Sequence, residues 1–172
     1  YEVQGDGWQG AMTYANFTRP LWRFMFNTKK AENYLQNMGY IGQPETAKDF
    51  VESHTKFAAG FPWHVRLNNM NALDTHDTPR FKSYTIAGAQ RVAGGLQFTF
   101  PGIPVVWAGD EFGLDGFNGE KSRTPIPWNG ERLADPSMID FYAELAKIRK
   151  ANPALIDGSL RWLYASDEAM VF

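Results

Sequence analysis

At 172 residues, 44% hydrophobic and 21% charged, the chain is long enough to bury one hydrophobic core but has no apolar run of about eighteen residues with which to build a membrane helix. A formal net charge of -2 offers a polyanion no attraction, so neither nucleic acid nor membrane is expected as a partner; the absence of Cys excludes disulfides, thiol catalysis and zinc–thiolate centres. Aromatic residues reach 15%, with six Trp, which suits either a well-filled core or a surface that stacks on sugar rings.

The first apolar run, GAMTYA at residues 10–15, reads as a short strand. Thr18 can cap a helix that admits Pro20 in its first turn and carries Leu21, Trp22, Met25 and Phe26 on its apolar face. A second helix follows Pro44, with Ala47, Phe50, Val51, His54, Phe57 and Ala58 spaced by threes and fours and Gly60 closing it. His54 falls inside that stripe and is read as a packed core histidine. LNNMNALD, residues 67–74, forms the next strand; Ile86, Ala89, Ala93, Leu96 and Phe100 then repeat with helical period up to Pro101 and Gly102. GIPVVWAGDE follows, an apolar run of the kind found in parallel strands covered on both faces. A last helix takes Asp135 as N-cap and Pro136 as its first residue, points Met138, Phe141, Tyr142, Leu145 and Ile148 inward, and ends before Asn152-Pro153. Beyond Gly158 the composition changes, and SLRWLYASDEAMVF reads as a β-hairpin around Ser166-Asp167. The chain opens at Tyr1 and closes on an unfinished strand, so it is expected to be a piece of a longer protein.

Strand and helix alternate three times, which calls for right-handed βαβ units and a parallel sheet. Three strands cannot close a barrel; they suit one side of a (β/α)8 barrel or of an open doubly wound sheet, and in both the ligand binds at the carboxyl edge. Two strand ends are loaded there: Asp74-Thr75-His76-Asp77-Thr78-Pro79-Arg80 and Gly109-Asp110-Glu111. Asp74, Asp77 and Arg80 could equally form a structural ion-pair network. The connection from Asp110 to Asp135 is long, rich in Gly and Pro, and holds Asn118-Gly119, Arg123 and Trp128; it either packs down as a plug or walls a pocket. A nucleotide-binding domain is disfavoured, because no strand leads into a GxGxxG turn and Gly94-Gly95 sits mid-helix.

At these residues the chain resembles the α-amylase family of glycoside hydrolases, in particular its α-glucosidase and neopullulanase-like members. LDTHDTPRF is similar to the family's fourth sequence region at the seventh barrel strand, GIPVVWAGDEFG to its eighth strand, SRTPIPW to a loop of oligosaccharide-cleaving members, and GAMTYANFTRPLW to the sixth strand and its helix. The resemblance implies a partial (β/α)8 barrel, strands 6 to 8 with their helices over residues 1–157, followed at 158–172 by the first hairpin of a C-terminal β-sandwich. It implies that Asp77 stabilises the transition state, that His76 bonds sugar hydroxyls, and that Arg80 makes a substrate or ion-pair contact; Arg123 and Trp128 are taken as pocket walls. The substrate implied is an α-linked gluco-oligosaccharide or α-glucan, cleaved with retention by a parent enzyme whose nucleophilic Asp and acid Glu lie upstream, so that the fragment alone is inactive. No cofactor and no metal are expected within these residues. Transglycosylation, isomerisation, or a non-catalytic carbohydrate-binding or scaffold role are the competing readings. A barrel opened before its sixth strand leaves an unpaired edge, and self-association through it is expected.

Overall fold

Residues 2–27, 43–131 and 135–172 are described by a computed structural model. Two short strands, β1 (Met70–Ala72) and β2 (Ile103–Val105), lie side by side in parallel, with Met70 opposite Ile103, Asn71 opposite Pro104 and Ala72 opposite Val105. Gln97 ties them together, its Nε2 donating at 2.8 Å to the carbonyls of both Asn71 and Val105.

The first expected strand is reduced. Residues 11–13 run alongside β1 in the same direction, with Met70 N donating to Ala11 O at 2.8 Å and Thr13 N to Met70 O at 3.1 Å, but only Met12 and Met70 form a bridge. The chain then coils into a π-helical turn, Tyr14–Thr18, that runs on as α1 (Arg19–Met25). A side-chain hydroxyl compensates for the change: Thr18 donates to Ala72 O, the β1 carbonyl that a longer strand would have met, while Thr13 adds its hydroxyl to the backbone bond at Met70 O. Thr18 is therefore not the cap expected of it; Pro20 still occupies the first turn, where its missing N–H costs nothing.

α2 (Ala47–Ala58) starts on a capping box, with the Thr46 hydroxyl accepting from Asp49 N and the Asp49 carboxylate from Thr46 N. Ala47, Phe50, His54 and Ala58 face inward as expected, whereas Phe57 is exposed. His54 is the packed histidine the pattern implied: Nδ1 lies 2.9 Å from Asn16 O, and burial brings its pKa down to about 4. A short α3 (Trp63–Arg66) leads into β1; α4 (Phe81–Tyr84) and α5 (Ala89–Thr99) return the chain to β2. Ile86 lies outside α5 and is exposed, because Gly88 turns the chain with φ 81° before the helix begins. After β2 come a 3-10 turn (Asp110–Phe112) and α6 (Gly119–Ser122).

α7 (Ser137–Ala151) starts two residues after its capping side chain, Asp135, which accepts from Ser137 N at 3.1 Å. Met138, Tyr142 and Leu145 are buried, but Ile148 faces outward. Past α8 (Ala154–Asp157), β3 (Tyr164–Ala165) and β4 (Met170–Val171) form the antiparallel hairpin expected around Ser166-Asp167. It docks on the start of α2, where Ala47 N and Lys48 N donate to Asp167 O and Ser166 O.

The main core lies between α1, α2, α5 and the carboxyl side of β1: Phe17, Leu21, Trp22, Phe50, Leu73, Phe81 and Phe100 are sealed from solvent. Burying one such Phe is worth about 1.5–3 kcal/mol. The aromatic surplus therefore goes mostly inward, Trp162 of the hairpin included, at 5.7 Å from Phe100. Trp8 and Trp128 stay exposed.

Candidate active site

β1 and β2 point their carboxyl ends to the same edge of the sheet. Past Leu73 the chain makes a tight turn built on two threonines. Thr75 N donates to Thr78 Oγ1 at 2.8 Å, Thr78 N to Thr75 O at 3.1 Å, and Asp77 N to Thr75 Oγ1 at 3.2 Å. Threonine suits this because its short hydroxyl can return to the neighbouring backbone. The turn lifts His76 and Asp77 into solvent, side chains 57% and 68% exposed, with Nε2 and Oδ1 3.3 Å apart. The His76 ring lies 5.9 Å from Trp107, and the Tyr14 hydroxyl stands 2.9 Å from Thr75 Oγ1.

Arg80 sits beneath, 1% exposed. Its guanidinium meets Asp110 Oδ1 at 3.0 Å and donates to the carbonyls of Trp107, Ala108 and Ser122 at 3.3, 2.6 and 2.9 Å. Of the two contacts expected of Arg80, substrate or ion pair, the geometry provides the ion pair, with the guanidinium enclosed by four acceptors. It holds the β1 turn, the β2 turn and α6 together. Gly109 permits this contact, since at φ 113° a Cβ there would lie 2.6 Å from Arg80 Nη2.

Asp74 is buried in the same cluster, with Oδ2 accepting from Phe81 N at 2.6 Å. Burial, and then the charge of Asp110, push its carboxyl well above the usual range. Asp110 is raised to about 6, burial outweighing the pull of Arg80 in the other direction. The suggested structural network of Asp74, Asp77 and Arg80 thus holds for two of its members, with Asp110 as the third; Asp77 stands apart in solvent.

The long connection carries the short helix α6 and packs against the His76 turn. Asn118 caps α6 by accepting from Lys121 N at 2.8 Å. Arg123 donates from Nη1 to His76 O at 3.1 Å and pairs with Glu120 at 2.5 Å. Trp128 is 82% exposed and rests edge-on against Phe112 at 5.9 Å. His76, Asp77, Arg123 and Glu120 therefore share one rim, and Trp128 belongs to the same connection. Tyr14, Trp107 and Glu120 were not picked out from the sequence. Tyr14 and Trp107 read as members of apolar runs, and Glu120 as one loop charge among several.

A family model for the alpha amylase catalytic domain matches residues 2–134. The chain belongs to this family. Similar members include a cyclomaltodextrinase from a Bacillus species, 32% identical over 128 residues that make up 73% of this chain and 23% of that protein. Neopullulanase 2 from Thermoactinomyces vulgaris is 30% identical over 130 residues, 73% of this chain and 22% of its own length. Among solved structures, a debranching enzyme from Nostoc punctiforme superimposes with a TM-score of 0.83 at 26% identity, covering 98% of this chain and 35% of that one. The chain thus spans between a fifth and a quarter of the two curated relatives, and its fold is consistent with part of an alpha-amylase family (β/α)8 barrel.

Proposed function

We propose that this chain is the C-terminal part of the catalytic barrel of a retaining glycoside hydrolase that cleaves α-glucosidic bonds in gluco-oligosaccharides or α-glucans. Residues 11–13, β1 and β2 would be its sixth, seventh and eighth strands, residues 1–157 the barrel portion, and 158–172 the first hairpin of a following β domain. One observation carries the reading: the exposed His76–Asp77 pair on the carboxyl edge of two parallel strands, in a chain of this family.

Retention needs a carboxylate nucleophile and a protonated acid about 5–5.5 Å apart and passes through a transition state with oxocarbenium character. In this reading both groups come from earlier barrel strands. Asp77 stands at the solvent edge and its carboxyl group stabilises the sugar ring as it becomes cationic, while His76 bonds hydroxyls beside the scissile bond. Arg123 secures the His76 carbonyl, and Trp128 presents an aromatic face to further sugar units. The names of the relatives, cyclomaltodextrinase and neopullulanase, support α-glucan as the substrate class.

The test is Asp77→Asn in the full-length protein, assayed on maltotriose. Losing one preorganised charge at the reacting centre is expected to lower kcat by about 10²–10³-fold with folding unchanged. A variant with kcat near wild type removes Asp77 from the mechanism.

A further inference from the structure

The charges beneath the His76–Asp77 turn do not balance. Asp74 and Asp110 are 1% and 2% exposed, and among the described residues the cation that pairs with them is Arg80. Arg80 gives its ion pair to Asp110 Oδ1 at 3.0 Å. Asp74 Oδ2 takes the Phe81 N–H, whereas Oδ1 is sealed from solvent and receives no donor. The Asp110 carboxyl lies within hydrogen-bonding reach of Asp74. Two carboxylate oxygens attract each other only when a proton stands between them, and a second buried negative charge would have no partner.

We propose that Asp74 is kept as a neutral carboxylic acid which donates to Asp110, and that it is a positioning residue for the His76–Asp77 turn. The proton belongs on Asp74 because Arg80 touches Asp110 directly and favours its ionised form. The other groups facing the pair leave this assignment in place. Glu111, on the 3-10 turn, accepts from Gly109 N at 2.8 Å and raises Asp110, an effect smaller than the opposing one of Arg80. Tyr142, on α7, is buried and neutral. Gln90, on α5, donates to the backbone carbonyl of Asp110 at 3.0 Å.

The placement explains the purpose. Residues 75–79 form the turn, Asp74 precedes it, and Phe81 follows shortly after it. One carboxyl therefore closes the turn through Phe81 N and, by its proton, fastens it to the neighbouring strand end at Asp110. The Asp77 side chain projects into solvent from this frame, its own N–H held by Thr75.

The link to turnover rests on the glycosidase reading; the protonation state does not. In the full-length protein, infrared difference spectra of wild type against Asp74→Asn at neutral pH should contain a protonated-carboxyl C=O band that the variant lacks. Carboxylate bands alone would overturn the assignment. Asn can accept from Phe81 N and donate to Asp110, so Asp74→Asn is expected to keep kcat on maltotriose within about threefold, whereas Asp74→Leu lowers kcat by about tenfold or more with KM less affected. The alkaline limb of the kcat–pH profile should also recede in Asp74→Asn, which no longer has this proton to lose. Equal losses in both variants would overturn the neutral-donor role, and an unaffected Asp74→Leu would overturn positioning. If Asp74→Leu does not fold, the spectrum and the rescue by Asn decide. If wild type itself turns over no α-glucoside, the glycosidase reading fails and the spectrum alone decides the state of Asp74.

Discussion

Replacing Arg80 with Met keeps the length of a buried side chain and deletes its charge and its donors. Asp110 then loses its partner in the interior, and three backbone carbonyls, those of Trp107, Ala108 and Ser122, lose a hydrogen bond. Breaking a buried ion pair from one side costs about 3–5 kcal/mol; Trp107 O keeps the Asp110 N–H, and the carbonyls of Ala108 and Ser122 cost about 1 kcal/mol or more each if nothing replaces the donor. These terms overlap, and Asp110 has an escape: its carboxyl, already raised to about 6 with Arg80 beside it, rises further without Arg80 and takes up a proton. Between about 6 and that higher value, the folded variant holds a proton that folded wild type does not. Unfolding of the variant then releases that proton, and its stability falls more steeply as pH rises through the window. The expected destabilisation is about 4 kcal/mol at pH 8 and at least about 1 kcal/mol less at pH 6. Urea unfolding of wild type and Arg80→Met at both pH values measures it, with the denaturant slopes checked for equality. A loss under about 1 kcal/mol, or the same loss at both pH values, refutes the clamp.

His54 is expected to make the protein acid-sensitive: with a folded pKa of about 4 against 6.5 for the free side chain, its contribution is complete above pH 6.5 and disappears as pH falls to about 4, about 3 kcal/mol in all. His54→Gln should flatten that part of the stability–pH curve, and identical slopes for the two proteins would show that His54 is not the group responsible. Trp128→Ala should leave stability within about 0.5 kcal/mol, since the side chain is 82% exposed, while oligosaccharide binding measured by calorimetry weakens about fivefold; unchanged affinity would take Trp128 out of the binding surface. The 172-residue chain by itself should self-associate, because Met12, Met70 and Ile103 lie at neighbouring register positions and are 42%, 39% and 46% exposed. Light scattering that reports a clean monomer at high concentration would count against that expectation.

Helices were the most legible elements because their signals are local. The Ala47, Phe50, His54 and Ala58 spacing of α2, Pro20 in the first turn of α1 and Asp135 before α7 each act within a few residues of their own position. Periodicity went wrong at helix margins, where Phe57, Ile86 and Ile148 continue the apolar pattern but stay exposed among the described residues. The short strands were harder to delimit, since their extent depends on partners distant in the chain. GAMTYA reads as a strand on composition, yet after Thr13 the chain coils, and the β1 carbonyl of Ala72 is met by the Thr18 hydroxyl from a helical turn.

The same division runs through the candidate site. The motif LDTHDTPRF and its place after an apolar run are properties of the chain alone, and they suffice to single out His76 and Asp77 and to suggest the family. Which charges of that motif face solvent and which lie inside was decided by packing. Asp74, Asp77 and Arg80 are indistinguishable as charged letters within seven positions, but the strand pleat and the turn send Asp77 outward and turn the other two onto Asp110, thirty residues further along from Arg80. Burial then gives the two kinds of carboxylate different chemistry. Asp77 stands open to solvent, whereas Asp74 and Asp110 are buried beside Arg80, where burial favours retention of a proton, a condition set by local dielectric and distance that composition does not encode.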